Sequence, residues 1–233
     1  MVSMQPTASP GLRRKQWLPL AALLLFVWLA DSYAMHRVYV ARMGNALDFY
    51  PIWAGSRHVL LHRQNPYTPE VMRQNQRAIY GRLALPDENQ HGYAYPAHTP
   101  FLLAPFLLLP FPYAVSLWIA LQQILLVAAV VLAVRAAGWR IERWRLGLLC
   151  LVATTFRYSM IVLVLGQTAV WVLFALAVAL WAAHRQRAVI VGLALAAGTL
   201  KPQLVLLPAL ALLVSLAPGP RRRAALALSL IHI

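Results

Sequence analysis

Long apolar runs alternate with short basic ones along the chain. Residues 17–35, WLPLAALLLFVWLADSYAM, form the first apolar run, and a helix of about 20 apolar residues crosses a bilayer. The RRK before it and the small residues Ser32-Tyr33-Ala34 near its end also fit a cleaved signal. The length of the run, and the spans after it, favour an uncleaved anchor. Either reading sends residue 37 onward across the membrane.

Residues 37–98 are mostly polar. Within them Ile52, Trp53, Ser56, Val59 and Leu60 recur at helical spacing, with Arg57, His58 and Arg63 on other faces. This predicts a short amphipathic helix, either lying at the membrane surface or sitting in an ordinary loop. QNPYTPE (64–70) ends it, and Thr68 is placed to cap a second helix near 69–82. From 97 to 136 the chain is apolar but divided by Pro100, Pro105, Pro110 and Pro112, which predicts a short piece over 99–111 and a full span over 113–136. Runs at 146–165 and 167–183 predict two further spans around Gly166-Gln167. The runs 188–200 and 203–216 each extend only about 20 Å as helices, so they predict broken or deeply set helices about Lys201. After PGPRRR a last apolar run stops after ten residues; it reads as the start of a span in a C-terminally truncated chain.

The fold class this predicts is all-α and polytopic. Its parts are a polar cytoplasmic tail (1–16), a first span (17–36), a long extracytoplasmic loop with amphipathic helices (37–98), a multi-span region (99–216) and a basic loop with the start of a further span (217–233). Composition agrees: 61% of the 233 residues are hydrophobic and the mean hydropathy is +0.63.

Charge adds orientation. Twenty-one basic residues face six acidic ones, for a net charge of +15. The clusters Arg13–Lys15, Arg135–Arg145, Arg185 with Arg187, and Arg221–Arg223 sit at the edges of apolar runs, which is how charge sets membrane topology. No nucleic-acid-binding module accompanies them, so nucleic acid is not an expected partner. Placing these clusters in the cytoplasm puts the 37–98 loop, Gly166-Gln167 and Lys201 together on the opposite side. Arg37 and Arg42 go against this orientation, although long loops are partly exempt from the rule. The single cysteine, Cys150, forms no intrachain disulfide.

Several residues carry candidate chemistry. Asp48, in DFYPIWAGS, is a scarce acid beside Tyr50, Pro51 and Trp53. A buried carboxylate serves as a general base, while an aspartate at a helix start is also a common cap. Tyr93, Tyr95 and His98, in GYAYPAHTP, form either an interfacial aromatic belt or one wall of a sugar or phosphate cavity. Arg157 lies inside an apolar run, where an arginine either snorkels to the surface or holds an anionic headgroup. Gln167 offers donors and an acceptor. Lys201, one of two lysines, is either a loop residue at the headgroups or a point charge for phosphate. His58 and His62 have helical metal-ligand spacing without further ligands. Neither a metal nor a cofactor is expected. A glycine-rich phosphate loop, a serine nucleophile elbow and a cysteine cluster are all missing, so a phosphate-bearing substrate fits better as a lipid carrier.

Four segments in order, DFYPIWAGSRHVLLHRQNPY (48–67), YAYPAHTPFLLAPFLLLPF (93–111), GQTAVWVLFALAVAL (166–180) and GLALAAGTLKPQLVLLPALALL (192–213), resemble glycosyltransferase family 87. These are polytopic GT-C enzymes related to mannosyltransferases of phosphatidylinositol mannoside synthesis. The resemblance implies a polyprenyl-phosphate sugar donor, a lipid or glycan acceptor, a bacterial inner-membrane location and extracytoplasmic transfer with inversion. It implies Asp48 as catalytic base, with Gly166, Gln167, Lys201 and Pro202 toward the same cavity; read from the residues themselves, Tyr50, Trp53, Tyr93, Tyr95, His98, Arg157, Gln167 and Lys201 are the substrate-binding candidates. The chain departs from the family in HRQNPY, which lacks the usual glycine, in Pro96-Ala97 where a Pro-Pro pair is common, and in GQTAV, which lacks an asparagine. A transporter or flippase of lipid-linked sugars, and a non-catalytic membrane subunit, are the alternatives.

Overall fold

The computed structural model describes residues 10–44, 48–216 and 218–229, and every regular element among them is a helix. Helix α1 (Pro10–Met35) runs through a π-helical turn (His36–Val40) into α2 (Ala41–Met43). The loop region holds α3 (Phe49–Leu60) and α4 (Pro69–Tyr80), followed by α5 (Thr99–Leu107) and α6 (Phe111–Ala136). Then come α7 (Arg143–Thr155), α8 (Arg157–Val164), α9 (Ala169–His184), α10 (Ala188–Gly198), α11 (Pro202–Ser215) and α12 (Pro218–Ser229).

Local chemistry sets these boundaries. Thr68 is extended, its hydroxyl accepts from the Val71 amide at 3.5 Å, and Pro69 opens α4. At the end of α8 the Gly166 amide donates to the Leu163 carbonyl and the Gln167 amide to the Val162 carbonyl, with Gly166 at φ +70°. That pair of bonds is a Schellman motif, and glycine supplies its left-handed residue without strain.

Helix α6 is the hub, packed by α1 on one side and α9 on the other, with α10 against α9 and α12 against α10. Helix α3 lies on α5. The Trp28 indole on α1 donates to the Leu117 carbonyl on α6 at 3.0 Å. At α10 a methyl group on Gly192 would fall 2.2 Å from the Ala224 carbonyl of α12, so only glycine permits that approach.

Among the described residues α6 is long and apolar enough to cross a membrane alone, and α7 with α8 forms a second apolar stretch bent by 60°. Helices α9, α10 and α11 are apolar but shorter. Leucines 204, 206, 207 and 210 of α11 and Leu148, Leu149 and Leu151 of α7 are exposed, an outward apolar face suited to hydrocarbon rather than water.

Three segments differ from the sequence reading. Helix α1 begins at Pro10, inside the expected polar tail; residues 1–9 of that tail lie outside the described residues. The run 146–165 is not one straight span. Thr154 and Thr155 donate their hydroxyls back to the carbonyls of Cys150 and Leu151 at 2.7–3.0 Å, and such back-bonding bends helices. Phe156 is then extended (φ −59°, ψ 131°). Within the expected basic loop and start of a further span (217–233), the arginines are helical, because α12 begins at Pro218. Arg221 donates to the carbonyls of Val214 and Leu216 at the end of α11, while the buried Ala224 and Ala227 meet Gly192. The last residues of the expected further span, 230–233, lie outside the described residues.

Candidate active site

Asp48 stands immediately before α3, where its side chain makes no capping bond to the helix. Phe49, fully buried, fixes its position. The Phe49 ring stacks on Trp118 of α6 (5.0 Å, 9°) and faces Phe111 at 6.4 Å. On the far side of Trp118 lies Trp171 of α9, stacked at 6.2 Å and 22°. Both indoles find acceptors, as a buried Trp N–H requires. Trp118 donates to the Gly166 carbonyl at 2.8 Å, and Trp171 donates to the Ala197 carbonyl near the end of α10 at 3.0 Å. One aromatic column therefore ties together the three segments that carry Asp48, Gln167 and Lys201.

The column is tight at Gly166. A methyl group there would sit 2.9 Å from the Phe49 Cβ. Because Phe49 and Gly166 touch, their neighbours meet: the Gln167 Nε2 donates to Asp48 Oδ2 at 2.6 Å, across 119 residues of sequence. Gly166→Ala combines this clash with a left-handed backbone, so it is expected to lower stability by about 1–3 kcal/mol. Gly147→Ala on α7, where the methyl meets open space, is expected to leave stability unchanged or slightly raised. Thermal unfolding of both variants in detergent checks the contrast.

Lys201 is half-buried in the turn between α10 and α11. A methyl on Gly198 would lie 3.0 Å from Val205 Cγ2, so this turn is tight. Lys201, Tyr95 and His91 all lie within electrostatic reach of the Asp48 carboxylate. Burial pushes the Tyr95 hydroxyl above the usual phenol range, and the Asp48 charge adds to that. Burial holds the His91 imidazole below its ordinary value, with Asp48 pulling the other way. His98 Nε2 lies 3.4 Å from the Thr199 hydroxyl, which donates to the Ala196 carbonyl. His98 thus joins the end of the long loop to the turn that carries Lys201.

His91 is absent from the sequence reading. It adopts a left-handed conformation (φ +51°) held from several directions. Its ring Nε2 meets the Tyr80 hydroxyl at 2.9 Å, its amide donates to Asn89 Oδ1, and its carbonyl accepts from Asn75 Nδ2. The available signal was the polar composition of 87–92, which resembles any surface loop. Trp118 and Trp171 were also missed; their signal is a tryptophan well inside an apolar run, where its N–H needs a partner.

Other candidates face elsewhere. Tyr50 and Trp53 pack against Phe111 (4.9 and 5.4 Å). The Trp53 indole donates to the Phe106 carbonyl, and Arg57 lies 4.8 Å over its ring. Tyr93 is buried flat against Gly55, where a methyl would come within 2.1 Å of its ring. Burial pushes its hydroxyl up to about 12. Arg157 is exposed at the kink before α8 and forms no ion pair among the described residues. The His58 and His62 rings are 5.6 Å apart, and His58 Nδ1 is engaged by Gln64 at 2.7 Å. Among the described residues no three His, Cys, Asp or Glu side chains are grouped to share a metal ion.

A carboxylate with one oxygen held by an amide and a half-buried lysine within its electrostatic reach can accept a proton and offset negative charge in one region. A family model described as glycosyltransferase family 87 matches residues 93–231, more than half of the chain. The matched region contains Tyr95, His98, Gln167 and Lys201; Asp48 precedes it. Neither the curated proteins nor the solved structures return a match.

Proposed function

Because the chain belongs to glycosyltransferase family 87, we propose that it transfers a sugar from a polyprenyl-phosphate donor to a lipid or glycan acceptor outside the cytoplasm. Membership makes it a membrane glycosyltransferase whose substrates are a sugar donor and an acceptor. The finer reading, a multi-pass GT-C enzyme of the bacterial inner membrane with a mannose-like sugar, is ours. So is its orientation, with the tail, Arg135–Arg145, Arg185 and Arg221–Arg223 in the cytoplasm.

The observation that carries the reading is the bond from Gln167 to Asp48, with Lys201 within electrostatic reach of that carboxylate. It unites residues from three of the four recognisable segments. In the reaction, the acceptor hydroxyl oxygen attacks the anomeric carbon while Asp48 takes its proton. Gln167 occupies Oδ2, which leaves Oδ1 for that proton. The bond between the anomeric carbon and the phosphate oxygen breaks, and polyprenyl phosphate leaves with the electron pair. Lys201 meets the charge that develops there. The N-terminus of α11, whose first residue is Pro202, adds its partial positive charge. In this reading Tyr95 and His98 contact sugar hydroxyls.

A lipid donor is supported by the surroundings of Lys201. A cavity of about 500 Å³ between α11 and α12 starts at Thr199 and Pro202, either side of the lysine, and is lined by Val205, Leu206, Ala209 and Leu228. Its walls suit an isoprenoid chain. One carboxylate acting in one displacement inverts the anomeric centre. The configuration of the product, read by NMR, is expected to be opposite to that of the donor. Retention would exclude a single backside displacement and would remove this role of Asp48.

A further inference from the structure

A second polar groove lies where α1 ends and α6 begins, outside the transfer site. Ser32, Tyr33, His36, Arg37, Tyr113 and Ser116 line it around a cavity of about 390 Å³. No carboxylate is among them. The nearest in sequence, Asp31, lines a different groove with Val27, Gln123 and Thr154.

The groove is partly rigid. The His36 ring stacks on Tyr113 (5.0 Å, 11°), and its Nδ1 lies 3.5 Å from the Ser116 hydroxyl, which donates to the Pro112 carbonyl. The π-helical turn starts at His36; its extra residue shifts the register of α1 at this point, and such turns occur often at functional sites. Arg37 is different. It is exposed and forms no ion pair or hydrogen bond among the described residues. Below the groove Leu25, Phe26, Leu29 and Tyr33 present an exposed apolar face of α1.

We propose that this groove binds the phosphate of an anionic membrane phospholipid, whose acyl chains lie along the exposed face of α1. The Arg37 guanidinium presents a planar fork that matches two phosphate oxygens. The Tyr33 and Tyr113 hydroxyls supply further donors at the depth where tyrosine sits in a bilayer interface. A binding role also accounts for a cation at the extracytoplasmic end of α1, where the charge rule disfavours one. The inference needs the membrane setting of the chain but not the sugar chemistry.

Native mass spectrometry of the protein in mild detergent tests it, with dioleoyl phosphatidylglycerol or dioleoyl phosphatidylcholine added. Wild type is expected to retain one phosphatidylglycerol, and Arg37→Ala to weaken that retention about tenfold. Arg42→Ala, an exposed arginine outside the groove, is expected to retain it as wild type does. Arg37 has no partner to lose among the described residues, and circular dichroism checks that the variant keeps its helices. Equal retention by Arg37→Ala and wild type, or equal retention of the two lipids, overturns the proposal. Displacement of the lipid by millimolar inorganic phosphate overturns it too, because it assigns the groove to a soluble ligand.

Discussion

Asp48→Asn is expected to lower the rate of sugar transfer about a thousandfold, within the range for loss of a general base, while the protein folds as wild type. Asparagine has the shape of aspartate, and its amide oxygen still accepts the bond from Gln167 Nε2. Phe49 keeps its stack on Trp118, so the segment stays in place. Only the ability to take a proton is lost. Donor binding is therefore expected to change little, and the loss to fall on turnover. Asp48 caps nothing in α3, so its replacement removes no helix-capping bond. Transfer assays with thermal unfolding on the same preparations separate the two effects. A well-folded variant with normal transfer contradicts the role of Asp48.

Lys201→Met is expected to cost about a hundredfold or more in turnover, the scale of removing one group that offsets leaving-group charge. Methionine fills the lysine's volume without its charge, and the tight turn at Gly198 and Leu200 remains. The half-buried site makes the missing cation felt more than at the surface. Lys201→Arg keeps the charge but not the point geometry, so partial recovery is expected. A Lys201→Met enzyme that loses substrate affinity while keeping its turnover places the lysine in ground-state binding instead.

The helical elements were largely legible in the chain. Apolar run lengths mark α6, α9, α10 and α11 to within a few residues, and Thr68 marks the start of α4. The kink at Phe156 was not read, because hydropathy is blind to threonine hydroxyls that bond back along the helix. The start of α12 was hidden for a similar reason. Arginine triplets resemble a loop unless one knows that Arg221 has carbonyls of α11 to bind.

The site was legible in a different way. Asp48, Gln167 and Lys201 stand out singly as a rare acid, a polar pair in an apolar run and a rare lysine. Nothing in their spacing brings them together; the Phe49–Trp118–Trp171 column does that. Tyr50, Trp53 and Tyr93 are the same kinds of residue as Tyr95, yet they face the α5–α6 junction and Gly55. Aromatic identity alone does not say which neighbours a ring packs against. His91 comes within electrostatic reach of Asp48 from a turn at 89–92 in an unusual backbone conformation, held by Asn75 and Tyr80.

The fate of a labelled donor tests the central claim most directly. The protein is reconstituted into liposomes with polyprenyl phosphate carrying a radiolabelled sugar, together with membrane lipid and glycan acceptors. The account predicts that label leaves the polyprenyl carrier and appears in a new glycoside, with polyprenyl phosphate released in equal amount. Label that crosses the bilayer still attached to its carrier, with no new glycoside formed, contradicts the account and favours a flippase.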